Sequence, residues 1–186
     1  MAKPLTPEEQ ARELIDTQLT QAGWFVCDRR DIDLVNHYGC AVREFIMKPD
    51  HGRADYLLYV DKQIVGVIEA KPVGTPLSGV QWQSAMYATG LPDAYRLQAV
   101  LKDDRIPFVF EASGSETHFT NGFDPVPKAR KIFHFQKPET LARIVRDSIA
   151  NPVAPTWRGR VNNLPSYENY DLRPASKIAV GAIEKS

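Results

Sequence analysis

Three charged residues bound two apolar runs that ought to be dry. Asp55 opens "DYLLYV", and Glu69 and Lys71 end "QIVGVIEAK". With a turn at Asp61, Lys62 and Gln63, Val60 would face Ile64, Tyr59 would face Val65, Leu58 would face Gly66, and Asp55 would fall opposite Glu69. Directly opposed side chains in an antiparallel pair stand about 4.5–5.5 Å apart at Cβ, where like charges repel. Lys71, two residues beyond Glu69, shares its face because strand side chains alternate. One ammonium beside two carboxylates leaves a net negative pocket of hard oxygen donors, the ligand type of Mg²⁺, with the Ala70 carbonyl within reach as a further donor. Such a site suits hydrolysis of a phosphodiester, in which the lysine orients water or meets developing charge. No nucleophilic serine or cysteine motif, phosphate-binding lysine loop or dinucleotide glycine fingerprint competes for the role. The plain alternative is that these charges are solvated strand tips.

Positioning them requires a hairpin held by neighbouring elements. Thr6 caps, Pro7 starts and Gly23 stops a helix whose Ala11, Leu14, Ile15, Leu19 and Ala22 recur at helical spacing. "WFVCDR" and "AVREFIM" precede the hairpin as strands. Behind it, "GTPLSGVQWQSAMYATGL" supplies a loop and a helix with Gln83 and Tyr87 four residues apart on one face. "QAVLKD", "IPFVFEAS" and "ETHFTN" are strand-like, and "KPETLARIVRDSI" is a helix beginning at Pro138. The expected class is mixed α/β. From Asn151 the chain turns rich in Pro, Asn and Arg, as in a linker, before a last helical pattern, "PASKIAVGAIEK". The expected boundaries are a main domain over residues 1–150 and a linker with the start of another domain over 151–186.

Composition narrows the class. Of 186 residues, 43% are hydrophobic and 25% charged, with 23 basic and 23 acidic side chains, the balance of a soluble globular domain. Cys27 and Cys40 form no metal or disulfide framework, and no export signal or spanning segment is visible, so a cytoplasmic protein without a membrane is expected. His37, His51, His118 and His134 are scattered without metal-ligand spacing. Lys128, Arg130, Lys131, Arg158 and Arg160 are candidates for phosphate contact, or simply solvated charges.

Asp55, "Glu69-Ala-Lys71" after an apolar strand and "Gln83-Ser-Ala-Met-Tyr87" on the next helix together resemble the D-(D/E)xK nucleases with the QxxxY extension of RecB-like enzymes. "GRADYLLYVDKQIVGVIEAKP", "RIPFVFEASGSETHFTNGFDP" and "KPETLARIV" are similar to the N-terminal endonuclease domain of the type I restriction enzyme R subunit, over most of residues 6–150. The resemblance implies a restriction-endonuclease-like core, a central mixed β-sheet flanked by helices. It makes Asp55 and Glu69 metal ligands, Lys71 the catalytic lysine, and Gln83 and Tyr87 groups that contact DNA or order the site. It also implies a first-helix glutamate. Glu9 best matches the family position, although Thr6 and Glu9 also form a capping box, and Glu8 and Glu13 remain alternatives.

The same resemblance implies Mg²⁺ as cofactor, double-stranded DNA as substrate, and methyltransferase and specificity subunits as partners. "NYDLRPASKIAVGAIEKS" is similar to the lead-in to the motor domain of such subunits, with Ala175-Ser176 where the family commonly has an adenine-reading glutamine. The chain ends before any ATP-binding loop, so ATP would serve only a full-length parent. The rivals are a stand-alone repair or junction nuclease of the same fold and a catalytically silent docking module.

Overall fold

The computed structural model describes residues 5–77, 89–164 and 171–184. Gln83 and Tyr87 therefore lie outside the described residues.

Helix α1 spans Pro7–Gln21. The Thr6 hydroxyl accepts from the Glu9 N–H at 3.2 Å while Glu9 Oε2 accepts from the Thr6 N–H at 2.7 Å, so two otherwise orphaned donors of the first turn are satisfied reciprocally. Its apolar stripe buries Ala11, Ile15 and Leu19, whereas Leu14, expected on that stripe, is exposed. Gly23, at φ +91, stops the helix and turns the chain into the sheet.

The sheet has seven strands in sequence order: β1 Phe25–Cys27, β2 Gly39–Ile46, β3 Arg53–Val60, β4 Gln63–Ala70, β5 Phe108–Ala112, β6 Thr117–Asn121 and β7 Arg130–Ile132. The pairs β1/β2 and β4/β5 are parallel and the rest antiparallel, which makes the sheet mixed. One face carries Tyr56, Leu58, Ile68, Phe108 and Phe110, covered by Ile15 and Leu19 of α1 and by Leu141, Ala142 and Val145 of α2, Pro138–Ala150. The other carries Leu57, Tyr59, Ile64, Val67 and Val109, packed against Leu91, Tyr95 and Ile106. Burial on both faces explains why β3 and β4 read as near-continuous apolar runs rather than alternating ones.

The segment "QAVLKD", expected as a strand, is not one. A 3₁₀ helix at Asp93–Gln98 runs into it, and only single bridges, Ile64 with Ala99 and Lys102 with Arg105, touch it. Asp103 and Asp104, at φ +50 and +66, turn the backbone out of any extended run. Strand β7 was not anticipated, its three residues being too short and too basic to signal a strand. After α2 come two further helices, α3 at Trp157–Asn162 and α4 at Pro174–Glu184.

The hairpin turn also differs from the expectation. It has two residues, Asp61 and Lys62, both at positive φ (+48 and +67), as a type I′ turn requires. Val60 thus faces Gln63 and Tyr59 faces Ile64, in place of Ile64 and Val65. The register shifts beyond Tyr59, so that Leu58 does face Gly66 and Tyr56 faces Ile68. Gly66 suits the close approach of β5, because a Cβ would lie 3.0 Å from the Phe108 carbonyl oxygen and 3.2 Å from Leu58 Cδ1, tight enough to press the neighbours apart by a few tenths of an ångström.

Candidate active site

At the end of the sheet where β4 and β5 finish, a cleft of about 340 Å³ is lined by Glu8, Arg12, Arg53, Asp55, Glu69, Ala70, Lys71 and Pro72. Asp55 comes from the start of β3, and Glu69, Ala70 and Lys71 from the end of β4. The strand register carries them together, since extending Tyr56–Ile68 by one residue brings Asp55 level with Glu69.

Each group is fixed by a bond that the local fold supplies. Asp55 Oδ2 accepts from the Ala70 N–H at 2.8 Å, tying the first strand's carboxylate to the second strand's backbone. Lys71 Nζ stands 2.8 Å from Glu69 Oε1, and both side chains are largely buried. The Lys71 N–H donates to the Ala112 carbonyl at 2.8 Å, so β5 continues to hold the chain one residue past the end of β4. An ammonium held this way cannot swing freely, and a fixed donor costs no reorganisation when charge develops nearby.

The first helix contributes a cation rather than the expected carboxylate of Glu9. Glu9 is engaged in the capping box, which holds its carboxyl below the ordinary glutamate range chiefly through the Thr6 N–H. Glu8, one residue earlier, is the glutamate that lines the cleft. Arg12 Nη2 donates to Asp55 Oδ1 at 2.9 Å and Nη1 to Glu44 Oε1 at 3.0 Å. Partial burial disfavours the charged guanidinium, but the Asp55 and Glu44 carboxylates outweigh it and hold Arg12 protonated more firmly than usual. Glu44 also accepts from Arg53 at 3.2 Å, from a backbone at φ +52 that non-glycine residues seldom adopt. Arg12 carries no signal in its own spacing; only the packing of α1 over β3 brings it to Asp55.

Sequence reasoning also passed over Glu111. In the parallel β4/β5 pair it is the register partner of Glu69, and both are buried. The row continues across the sheet through His118 and Lys131. Its signal was legible as a lone acid inside "PFVFEA", but linking it to Glu69 needs the strand order. Behind the site, Arg43 binds Asp16 at 2.8 Å and Asp28 at 3.0 Å, and the Tyr56 hydroxyl donates to Asp16 at 2.8 Å. Burial first, then the Asp16 carboxylate, pushes the Tyr56 phenol far up. That network locks α1 onto β2 and β3.

The donor set is oxygen-rich and of the kind a hard divalent cation takes, with Asp55 and Glu69 on a common cleft. Arg12 already occupies Asp55 Oδ1, and among the described residues no three His, Cys, Asp or Glu side chains form a ready-made metal cluster. The residues therefore fit a cation completed by water rather than a closed protein cage.

Residues 35–121, just under half of the chain, match the family model described as the type I restriction enzyme EcoKI endonuclease subunit second domain. Over that stretch the chain is similar to an endonuclease-subunit domain of type I restriction enzymes. The match contains Asp55, Glu69, Lys71 and Glu111. Among solved structures, the fragment described as an HsdR subunit of a type I restriction enzyme from Vibrio vulnificus YJ016 is similar, with a TM-score of 0.52 at 19% identity over 76% of this chain. At that identity the likeness speaks for the shared fold, the mixed sheet with flanking helices. The chain spans about 25% of that structure's length. No curated protein matches the chain. Among the described residues, no helix is long and apolar enough to cross a membrane.

Proposed function

We propose that this domain hydrolyses DNA phosphodiester bonds with Mg²⁺, as the cutting module of a type I restriction R subunit. The observation that supports it most is the meeting of Asp55, Glu69 and Lys71 in one cleft, with Lys71 2.8 Å from Glu69. In this reading Asp55 and Glu69 hold the cation, with Ala70 beside them, and Gln83 and Tyr87 order the site or contact DNA. In this reading Glu9 caps α1, and Glu8, which lines the cleft, takes the role of the first-helix carboxylate.

Bound there, Mg²⁺ would polarise the phosphoryl oxygen and lower the pKa of a bound water. Lys71, anchored by Glu69, orients the attacking water and faces the negative charge that builds on phosphorus-bound oxygen. The attacking water gives up a proton to solvent as its oxygen forms the new bond to phosphorus, the ester P–O bond breaks, and the leaving oxygen takes a proton from solvent. Arg12 neutralises Asp55 before the cation arrives. In a complete subunit, ATP-driven translocation by a following motor region, with methyltransferase and specificity subunits, would bring double-stranded DNA to the cleft. Residues 1–150 would form the nuclease domain, and 151–186 the linker and the start of the motor.

Lys71→Ala in a complete subunit assembled with its partners tests this. ATP consumption should persist while DNA cleavage is lost. Cleavage at the unmodified rate would remove Lys71 from the chemistry.

A further inference from the structure

A second polar cleft, of about 370 Å³, opens away from the carboxylate site. Its lining includes Asn121 at the end of β6, Asp124 just beyond it, Arg143 and Asp147 on α2, and Trp157, Arg158 and Arg160 on α3, three guanidiniums against two carboxylates. Asn121 is the register partner of Phe108, where β5 begins, whereas Ala70 at the carboxylate site pairs with Ala112, where β5 ends. The two clefts are thus separated by the length of β5, about 13 Å of strand.

The walls of this cleft are built rather than incidental. The Thr156 hydroxyl caps α3 by accepting from the Gly159 N–H at 3.2 Å, and the Ser148 hydroxyl of α2 donates to the Pro155 carbonyl at 3.5 Å. At the floor, Asp124 is buried, and its Oδ2 receives Arg130 at 3.3 Å and Arg158 at 3.5 Å. That carboxylate holds two guanidiniums whose outer surfaces remain exposed. Arg143 and Arg160 are exposed and form no ion pair among the described residues. Trp157 stands 71% exposed beside them, the largest side chain left in water by the described fold.

Guanidiniums around an open indole make an environment for one chemical unit, a phosphate joined to an aromatic base. Arginine takes phosphate bidentately, and a base stacks on an indole whatever its identity. We propose that this cleft binds a nucleotide unit of an unpaired DNA strand, with the phosphate on Arg143 and Arg160 and the base on Trp157. Asp124 is the positioning residue that keeps Arg158 at the rim. The site works by stacking and charge, so it accepts any base and needs no metal.

Trp157 is its own reporter. Titrating the whole chain with a short single-stranded oligonucleotide at low salt, without divalent ions, should quench its fluorescence, and Trp157→Phe should remove the signal. Trp157→Ala should weaken binding, followed by anisotropy of a labelled oligonucleotide, by about tenfold or more. Arg143→Ala and Arg160→Ala should each lower the slope of log affinity against log salt by about 0.7. A free mononucleotide should bind far more weakly than the oligonucleotide; equal affinity would assign the cleft to free nucleotides instead. Oligonucleotide binding indifferent to Trp157→Ala, Arg143→Ala and Arg160→Ala would overturn the proposal. Lys71→Ala separates it from the nuclease reading, because that substitution should leave the quenching unchanged even if cleavage is lost.

Discussion

Replacing Arg12 by Met should make the protein respond more strongly to Mg²⁺, not less. Arg12 Nη2 lies 2.9 Å from Asp55 Oδ1. A cation bonded to that carboxylate at about 2.1 Å would then sit within about 5 Å of a guanidinium nitrogen. Arg12 is 40% exposed, so water-like screening is the appropriate limit. A unit charge and a divalent ion about 5 Å apart repel by about 1.7 kcal/mol at a dielectric constant near 80. Removing the guanidinium should therefore tighten Mg²⁺ binding by roughly fifteenfold. Without Mg²⁺ the variant should be less stable by about 1 kcal/mol, since the lost ion pair is partly exposed. At Mg²⁺ concentrations well above both dissociation constants, the Mg²⁺-induced rise in Tm should exceed that of the native chain by roughly 3–7 °C for a domain of this size. Thermal melts across a MgCl₂ series measure this, with Asp55→Asn as the control that should lose most of the rise. A Mg²⁺-induced rise in Arg12→Met equal to or smaller than in the native chain would refute the placement of the cation on Asp55.

Three further outcomes follow from the same geometry. Glu111→Gln should raise metal-free stability by a few tenths to about 1 kcal/mol, because it removes a like charge beside Glu69 in the parallel register; chemical denaturation without divalent ions measures it. Glu9 has a depressed folded pKa, so its contribution to α1 is present above the ordinary glutamate pKa and fades as pH falls through the lower folded value. Glu9→Gln should accordingly lower Tm near neutral pH and make little difference in acid, and a constant deficit at both would exclude the capping carboxylate as its source. Lys62→Gly should raise the unfolding free energy by about 0.5–1 kcal/mol, read as a higher urea midpoint at unchanged m, since Lys62 sits at φ +67 where glycine is at ease.

How far the sequence reveals this protein depends on whether a feature is local. The helix α1 was legible because Thr6, Pro7, Glu9 and Gly23 each act within a few residues of themselves, and the strands flanking the hairpin because long β-branched and aromatic runs have few other uses. The approach of Asp55, Glu69 and Lys71 was legible because both strands belong to one hairpin. Arg12 and Glu111 were not, since their roles depend on α1 crossing β3 and on β5 lying parallel to β4, contacts spanning 43 and 42 positions that no spacing announces. The second cleft was harder still: Arg158 could be a phosphate contact or a solvated charge until Asp124, 34 positions earlier, is seen beneath it.

The hairpin shows why a right register can come from a wrong turn. A three-residue turn over Asp61, Lys62 and Gln63 would set Asp55 against Glu69 by uninterrupted pairing. The structure uses two residues, and if that pairing ran on without interruption Asp55 would stand level with Ile68, whose side chain belongs to the α1-covered face. A slip of one residue turns every side chain to the opposite face of the sheet. The irregularity after Tyr59 inserts one residue into β4, and from Leu58–Gly66 onward the carboxylates are back in step. The type I′ turn matches the twist of the strands, which a longer loop matches less well, while the bulge adds local twist and restores the register. Turn and bulge are therefore one device: neither alone places Asp55 beside Glu69. Gly66, sitting where the pairing resumes and pressed against Phe108, allows β5 close enough to carry Glu111 level with Glu69 and to hold the Lys71 backbone. The geometry of the cleft thus depends on backbone irregularities three residues and more away from it, at positions whose side chains do not line it.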